Sequence, residues 1–176
     1  MVIMYKIDIP EGIKVEEAGN TLKITGKLGS NERQFNDSLM SVRLENNQIV
    51  IEKTDYKKLN KKASIAIKTF MSEIGNDIKG VNEYYETKME AVFAHFPMTL
   101  EVSGKKLIIK NMLGERTARE SRIIGDSKVE VKDKKIRIYG TKLDDVMQTA
   151  ANFRATTKVK NKDERVFQDG IYFSIE

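Results

Sequence analysis

The sequence contains no cysteine and no tryptophan, one histidine (His95) and two prolines, Pro10 and Pro97. Without cysteine, disulfides and thiolate metal sites are excluded, in keeping with a reducing cytosol. A single histidine excludes a histidine-dense metal centre as well, so no metal and no cofactor are expected. Also missing are a Gly-rich phosphate loop followed by Lys-Ser/Thr, a G-x-S-x-G elbow and a Cys/His pair. Carboxylates are plentiful but scattered, and the adjacent Asp144-Asp145 falls where a helix cap is expected. We therefore expect no enzyme. The opening MVIMYKIDIP carries Lys6 and Asp8, and no apolar run approaches the length of a signal or a membrane span. The expected setting is cytoplasmic, away from membranes.

What is present is enough for a packed core. Of the 176 residues, 40% are hydrophobic, while 32% are charged and need solvent or a partner. The length fits one large domain or two small ones. The net charge of +5 is unevenly spread. Residues 1–88 hold 14 Lys/Arg against 13 Asp/Glu, and residues 89–176 hold 17 against 13. The basic excess of the second half marks it as the part to meet a polyanion.

An internal repeat sets the architecture. Ile9-Pro10 opens one copy and Phe96-Pro97 another, 87 positions later. Alternating Ile13 and Val15 correspond to Leu100 and Val102. Thr21-Leu22-Lys23-Ile24 matches Lys106-Leu107-Ile108-Ile109, and Leu28-Gly29 matches Leu113-Gly114. Gln48-Ile49-Val50-Ile51 matches Lys135-Ile136-Arg137-Ile138, again at 87. Within each copy the apolar period is two, as for strands: Leu22 and Ile24, Val42 and Leu44, Ile49 and Ile51. Asn46-Asn47 reads as a hairpin turn, with Lys132-Asp133-Lys134 in the matching place.

The period then lengthens. Leu59, Ala63, Ala66, Ile67, Phe70, Met71 and Ile74 form one helical face, with Gly75 as its expected stop. In the second copy, Asp144 or Asp145 is the expected cap of a helix carrying Val146, Thr149, Ala150 and Phe153. The fold class is thus α+β, two tandem copies of a small antiparallel sheet packed against one helix. The domains are read as 1–88 and 89–176, the second being the main binding unit. The apolar stretch Gly80 to His95 reads as a strand finishing the first sheet, followed by a short stiff join.

Three basic clusters are candidate polyanion contacts. Lys57, Lys58, Lys61 and Lys62 open the first helix, where cations oppose the macrodipole; they contact an anion or simply form a solvated face. Arg116, Arg119 and Arg122 lie at steps of three in the loop Gly114 to Gly125 and offer forked donors to phosphate, or pair with Glu115 and Glu120. The third cluster is the stretch TKVKNKDERVFQDGIYFSIE from Thr157 to Glu176. In an extended chain, Lys158, Lys160 and Lys162 share one side. Asp163 and Glu164 interrupt the charge and Arg165 restores it. Phe167 and Tyr172 bracket Asp169-Gly170, read as a turn pair. Cations beside aromatics suit a phosphate backbone with an aromatic free to stack. The other reading is a solvated hairpin with Phe167 and Tyr172 in the core.

The run KNKDERVFQDGIY (Lys160 to Tyr172) resembles the C-terminal signature of the sixth protein of the large ribosomal subunit, in its archaeal and eukaryotic branch. VFAHFPMTLEV (Val92 to Val102) resembles the start of that family's second domain, and IKNMLGERTAR (Ile109 to Arg119) its strand-then-loop segment. The three runs stand in the family's order. The resemblance implies a structural protein bound to large-subunit RNA near the sarcin–ricin loop and the stalk base, where translation factors bind. It implies neighbouring ribosomal proteins as partners and translation factors as indirect ones. It also assigns Lys158, Lys160, Lys162, Arg165, Phe167, Asp169, Gly170 and Tyr172 to the RNA-binding site. The competing class is a protein–protein scaffold built from the duplicated sheet unit.

Overall fold

The computed structural model describes residues 4–53, 61–94, 96–163 and 165–174. The chain divides into two compact units, Met1–Tyr84 and Tyr85–Glu176.

In the first unit the order is β1 (Met4–Asp8), β2 (Lys14–Ala18), β3 (Thr21–Thr25), β4 (Ser30–Gln34), β5 (Met40–Glu45), β6 (Gln48–Lys53) and α1 (Lys61–Gly80). These strands form two antiparallel three-stranded sheets, β1-β6-β5 and β2-β3-β4. Leu22, Ile24, Ile49 and Ile51 are fully buried, the faces their period of two assigned to the core. Asn46 and Asn47 both take positive φ between Glu45 and Gln48, the backbone of a two-residue hairpin whose twist suits its strands. From α1, Ala63, Ile67, Phe70, Ile74 and Ile78 are buried, and Phe70 meets Phe35 with ring centroids 5.8 Å apart. Leu59 lies outside the described residues, as do Lys57, Lys58, His95 and Glu164.

Gly75 does not stop this helix. α1 runs on to Gly80 because Ile78 and Val81 continue the apolar stripe, and the space where a Gly75 side chain would stand is empty. One charged contact also holds α1. Arg33 of β4 donates from Nε to Asp77 Oδ2 at 2.8 Å and from Nη2 to Oδ1 at 3.0 Å, and its Nη1 lies 3.1 Å from Glu73. Asp77 is buried, so this bidentate pair compensates its desolvation.

The second unit repeats the order: β7 (Tyr85–Val92), β8 (Thr99–Ser103), β9 (Lys106–Lys110), β10 (Arg119–Arg122), β11 (Lys128–Lys132), β12 (Lys135–Gly140) and α2 (Leu143–Thr157). One further strand, β13 (Gly170–Phe173), follows. The sheets are β10-β9-β8 and β11-β12-β7-β13. The core holds Met89, Leu107, Ile109, Met112, Ile136, Ile138 and Phe153, all essentially inaccessible.

Two expectations change here. The strand after α1 does not finish the first sheet. β7 pairs with β12 and β13, and its inward residues Met89 and Ala91 belong to the second core. β7 is the counterpart of β1, so the repeat begins one strand earlier than the Pro landmarks suggested, and the division falls after Tyr84. Neither Asp144 nor Asp145 caps α2. The cap position is Lys142, and both aspartates lie in the first turn, where their charge suits the helix dipole. Thr149 fixes this helix instead: its hydroxyl donates to Asp145 O at 2.7 Å and accepts from Ile124 N at 3.0 Å.

Candidate nucleic-acid interface

The C-terminal stretch begins where α2 ends. Lys158 turns extended and donates its N–H to Ala155 O at 3.3 Å. Val159 is buried among core residues while Lys158 and Lys160 are exposed, so the alternation holds for three residues. It breaks at Asn161, which adopts a left-handed φ of 58°. The turn redirects Lys162, whose ammonium sits 4.4 Å above the Phe167 ring, a cation–π contact. The three amines therefore do not share one side of an extended chain.

The tight turn lies at Asp163, not at Asp169-Gly170. Asp163 accepts the Arg165 N–H on Oδ1 at 2.9 Å, and its carbonyl accepts from Val166 N at 3.1 Å and Phe167 N at 2.9 Å. An aspartate side chain that bonds the backbone two residues on is a local turn former. Arg165 is exposed on this turn. Asp169 is buried, and its Oδ1 accepts from Ala94 N at 3.0 Å. Gly170 starts β13, and a Cβ there would stand 3.1 Å from the Tyr172 ring. The pair thus anchors the loop's return, and the missing side chain leaves room for Tyr172. Phe167 is partly buried against the core, whereas Tyr172 remains 40% exposed.

The arginines separate into two roles. Arg116 and Arg122 are exposed. Arg119 is turned inward on β10: Nε donates to Glu115 Oε2 at 2.8 Å and Nη1 to the Thr156 carbonyl at 2.8 Å and that of Lys158 at 3.4 Å. It thereby satisfies the terminal carbonyls of α2 and ties the 114–119 turn to the start of the cationic stretch. The Arg119 hydrogen bond holds the Glu115 carboxyl below its ordinary value, partial burial opposes this, and the charges of Arg119 and Lys162 add to the lowering. The structure so brings together the 114–119 turn and the 158–167 stretch, which the sequence leaves far apart.

In the first unit, Lys61 is exposed at the start of α1. The single arginine matched to that unit's loop, Arg33, lies in β4 and pairs inside the fold. Among the described residues no cluster of His, Cys, Asp and Glu suited to a metal ion occurs, and no helix is long and apolar enough to cross a membrane.

The family model of ribosomal protein L6 matches residues 9–84 and 96–170. The chain belongs to the ribosomal protein L6 family. Relatives named large ribosomal subunit protein uL6 agree over almost their whole length. The one from Staphylothermus marinus is 45% identical, covering 97% of this chain and 92% of its own. That from Methanocella arvoryzae is 39% identical, covering 96% and 94%. That from Halobacterium salinarum is 36% identical, covering 95% and 92%. The L6 family is structural rather than enzymatic, and these archaeal relatives agree with the branch that the KNKD-x-R-x-F-x-DG-IY run resembles. The two matched segments of the L6 model follow the duplicated unit, each running from the second strand of one copy through its helix.

Proposed function

We propose that the chain is a structural constituent of the large ribosomal subunit, holding large-subunit RNA chiefly through its second unit. The observation that carries this reading is where the cations fall. The two units share six strands and a helix, and the second adds the connection 111–118 and the segment 158–173. Arg116, Lys158, Lys160, Lys162 and Arg165 all lie on these additions, with Arg122 on the strand beside them. Exposed cations on well-anchored loops contact phosphates and fix register. In this reading Arg119, Asp169, Gly170 and Phe167 brace the surface, and Tyr172 is the aromatic free to stack. The resemblance to the L6 family supports a place near the sarcin–ricin loop and the stalk base, beside neighbouring ribosomal proteins. There it would support the region that translation factors use, in cytoplasmic ribosomes.

The test is a salt series with a large-subunit RNA fragment that contains the sarcin–ricin hairpin. Replacing Lys158, Lys160, Lys162 and Arg165 by Gln removes four phosphate contacts. On a duplex target the slope of log affinity against log salt should fall by about 0.9 per contact, roughly 3–4 in all. The control, Gln at Lys57, Lys58, Lys61 and Lys62, removes equal charge from the first unit and should change the slope little. Equal loss in both variants would mean diffuse charge. No loss in either would favour a protein–protein scaffold.

A further inference from the structure

A groove of about 360 Å³ runs between the last turns of α2 and β13, which is an edge strand among the described residues. Its volume is in the range of small-ligand clefts, about 300–1,000 Å³. Ala151 and Ala155 make its helical wall, and the β13 edge with Tyr172 and Phe173 makes the other. Both aromatics are more than one-third exposed, at 40% and 39%. Arg154 and Lys158, both exposed, line it as well, and among the described residues no carboxylate does. The two walls are pinned together. The Thr157 hydroxyl donates to Phe153 O at 3.0 Å and accepts from Ile171 N at 3.0 Å. That last bond occupies an edge donor of β13 that an added strand would need, which argues against a docked peptide strand.

We infer that this groove seats one unpaired nucleotide of the bound RNA, its base against Tyr172 and its phosphates against Arg154 and Lys158. The inference rests on the RNA-binding reading above and adds a subsite with a defined preference. A paired base keeps its face inside the duplex stack, so only an unpaired or splayed base can offer a π-face to an exposed ring. The alanines matter because longer side chains would fill the groove from the helix side. Gly170 matters because a Cβ there would press on the Tyr172 ring. The α2 carbonyl end would repel a phosphate, and Arg154, Lys158 and the Arg119 bond to the Thr156 carbonyl offset this.

Because the chain has no tryptophan, Tyr172→Trp places a single reporter at the groove. The full-length variant is titrated with a short oligouridylate, which stays unpaired, and with a blunt RNA duplex of the same strand length. We expect the oligouridylate to quench the emission and the duplex to leave it unchanged. Adding Ala155→Leu or, independently, Ala151→Leu should weaken oligouridylate binding about 5- to 150-fold, the range of one lost base stack. Melting curves check that each variant is folded, and two blocking positions guard against one failing. Unchanged emission with oligouridylate, equal quenching by the duplex, or full binding by both folded leucine variants would overturn the inference. The same proteins go through the salt series with the large-subunit fragment. A steep slope without quenching defeats the groove alone. Absence of any binding defeats the RNA reading with it.

Discussion

The two units are one design with different attachments. β1 to β6 and α1 correspond in order and pairing to β7 to β12 and α2. The β3–β4 connection needs only residues 26–29, while that between β9 and β10 spans 111–118. After the helix, the first unit ends its sheet at three strands, and the second continues into β13. Their inward arginines also differ. Arg33 reaches a buried aspartate on the helix of its own unit, whereas Arg119 reaches the carbonyls that end α2, beside exposed Lys158 and Lys160. The difference teaches that the fold is carried by what the units share and the charged surface by what they do not.

The largest expected effects test the shared part. Phe70 and Phe153 occupy the helix–sheet core of their respective units. Phe153→Ala and Phe70→Ala should each cost roughly 3–5 kcal/mol in denaturant unfolding. If the units are separate folding bodies, 1–84 and 85–176 expressed apart should each melt cooperatively, and each variant should shift its own unit's transition. A loss below about 1 kcal/mol for either would mean that its ring faces solvent or a partner.

Next come the two arginine contacts. Asp77→Asn leaves Arg33 without its buried partner and should cost about 3 kcal/mol with little change in RNA affinity. Arg119→Gln removes partly exposed bonds and should cost less, about 1–2 kcal/mol. It should also weaken RNA binding, because it loosens the start of the cationic stretch. Equal effects on affinity would erase the distinction drawn between the units.

Smaller still, Gly75→Ala should stabilise the first unit by roughly 0.5–1 kcal/mol, since the position is helical and a methyl meets nothing. A second unit that shifted equally would contradict the separation. The smallest effect is the pH dependence of the Glu115–Arg119 pair. Glu115 is held below its ordinary value of 4.5, so its contribution is present above that pH and disappears as pH falls through the folded-state value. The stabilities of the native chain and Glu115→Gln should therefore converge on acidification, read from denaturant midpoints across that window. Parallel curves would show that the pair contributes nothing.

The sequence by itself determined the duplicated α+β plan. Alternation and helical spacing report which side chains must leave water, a property local to each segment, so Leu22, Ile24, Phe70 and Phe153 could be placed in the cores directly. The Asn46-Asn47 turn was equally legible, because its left-handed backbone is a local preference. Periodicity does not say which sheet a strand joins, so it leaves open that β7 belongs to the second unit. Gly75 does not end α1 because a glycine's local cost is small beside the burial of Ile78 and Val81. The site was legible as a set of residue types and not as an arrangement. Arg154 and Phe173 carried no signal, since one reads as an ordinary last-turn cation and the other as a strand aromatic. Whether an arginine points to a phosphate or to a carbonyl 37 residues away is settled by hydrogen bonds between distant segments. Arg119, Asp169 and the edge of β13 acquire their roles only through such pairings, which tertiary packing alone decides.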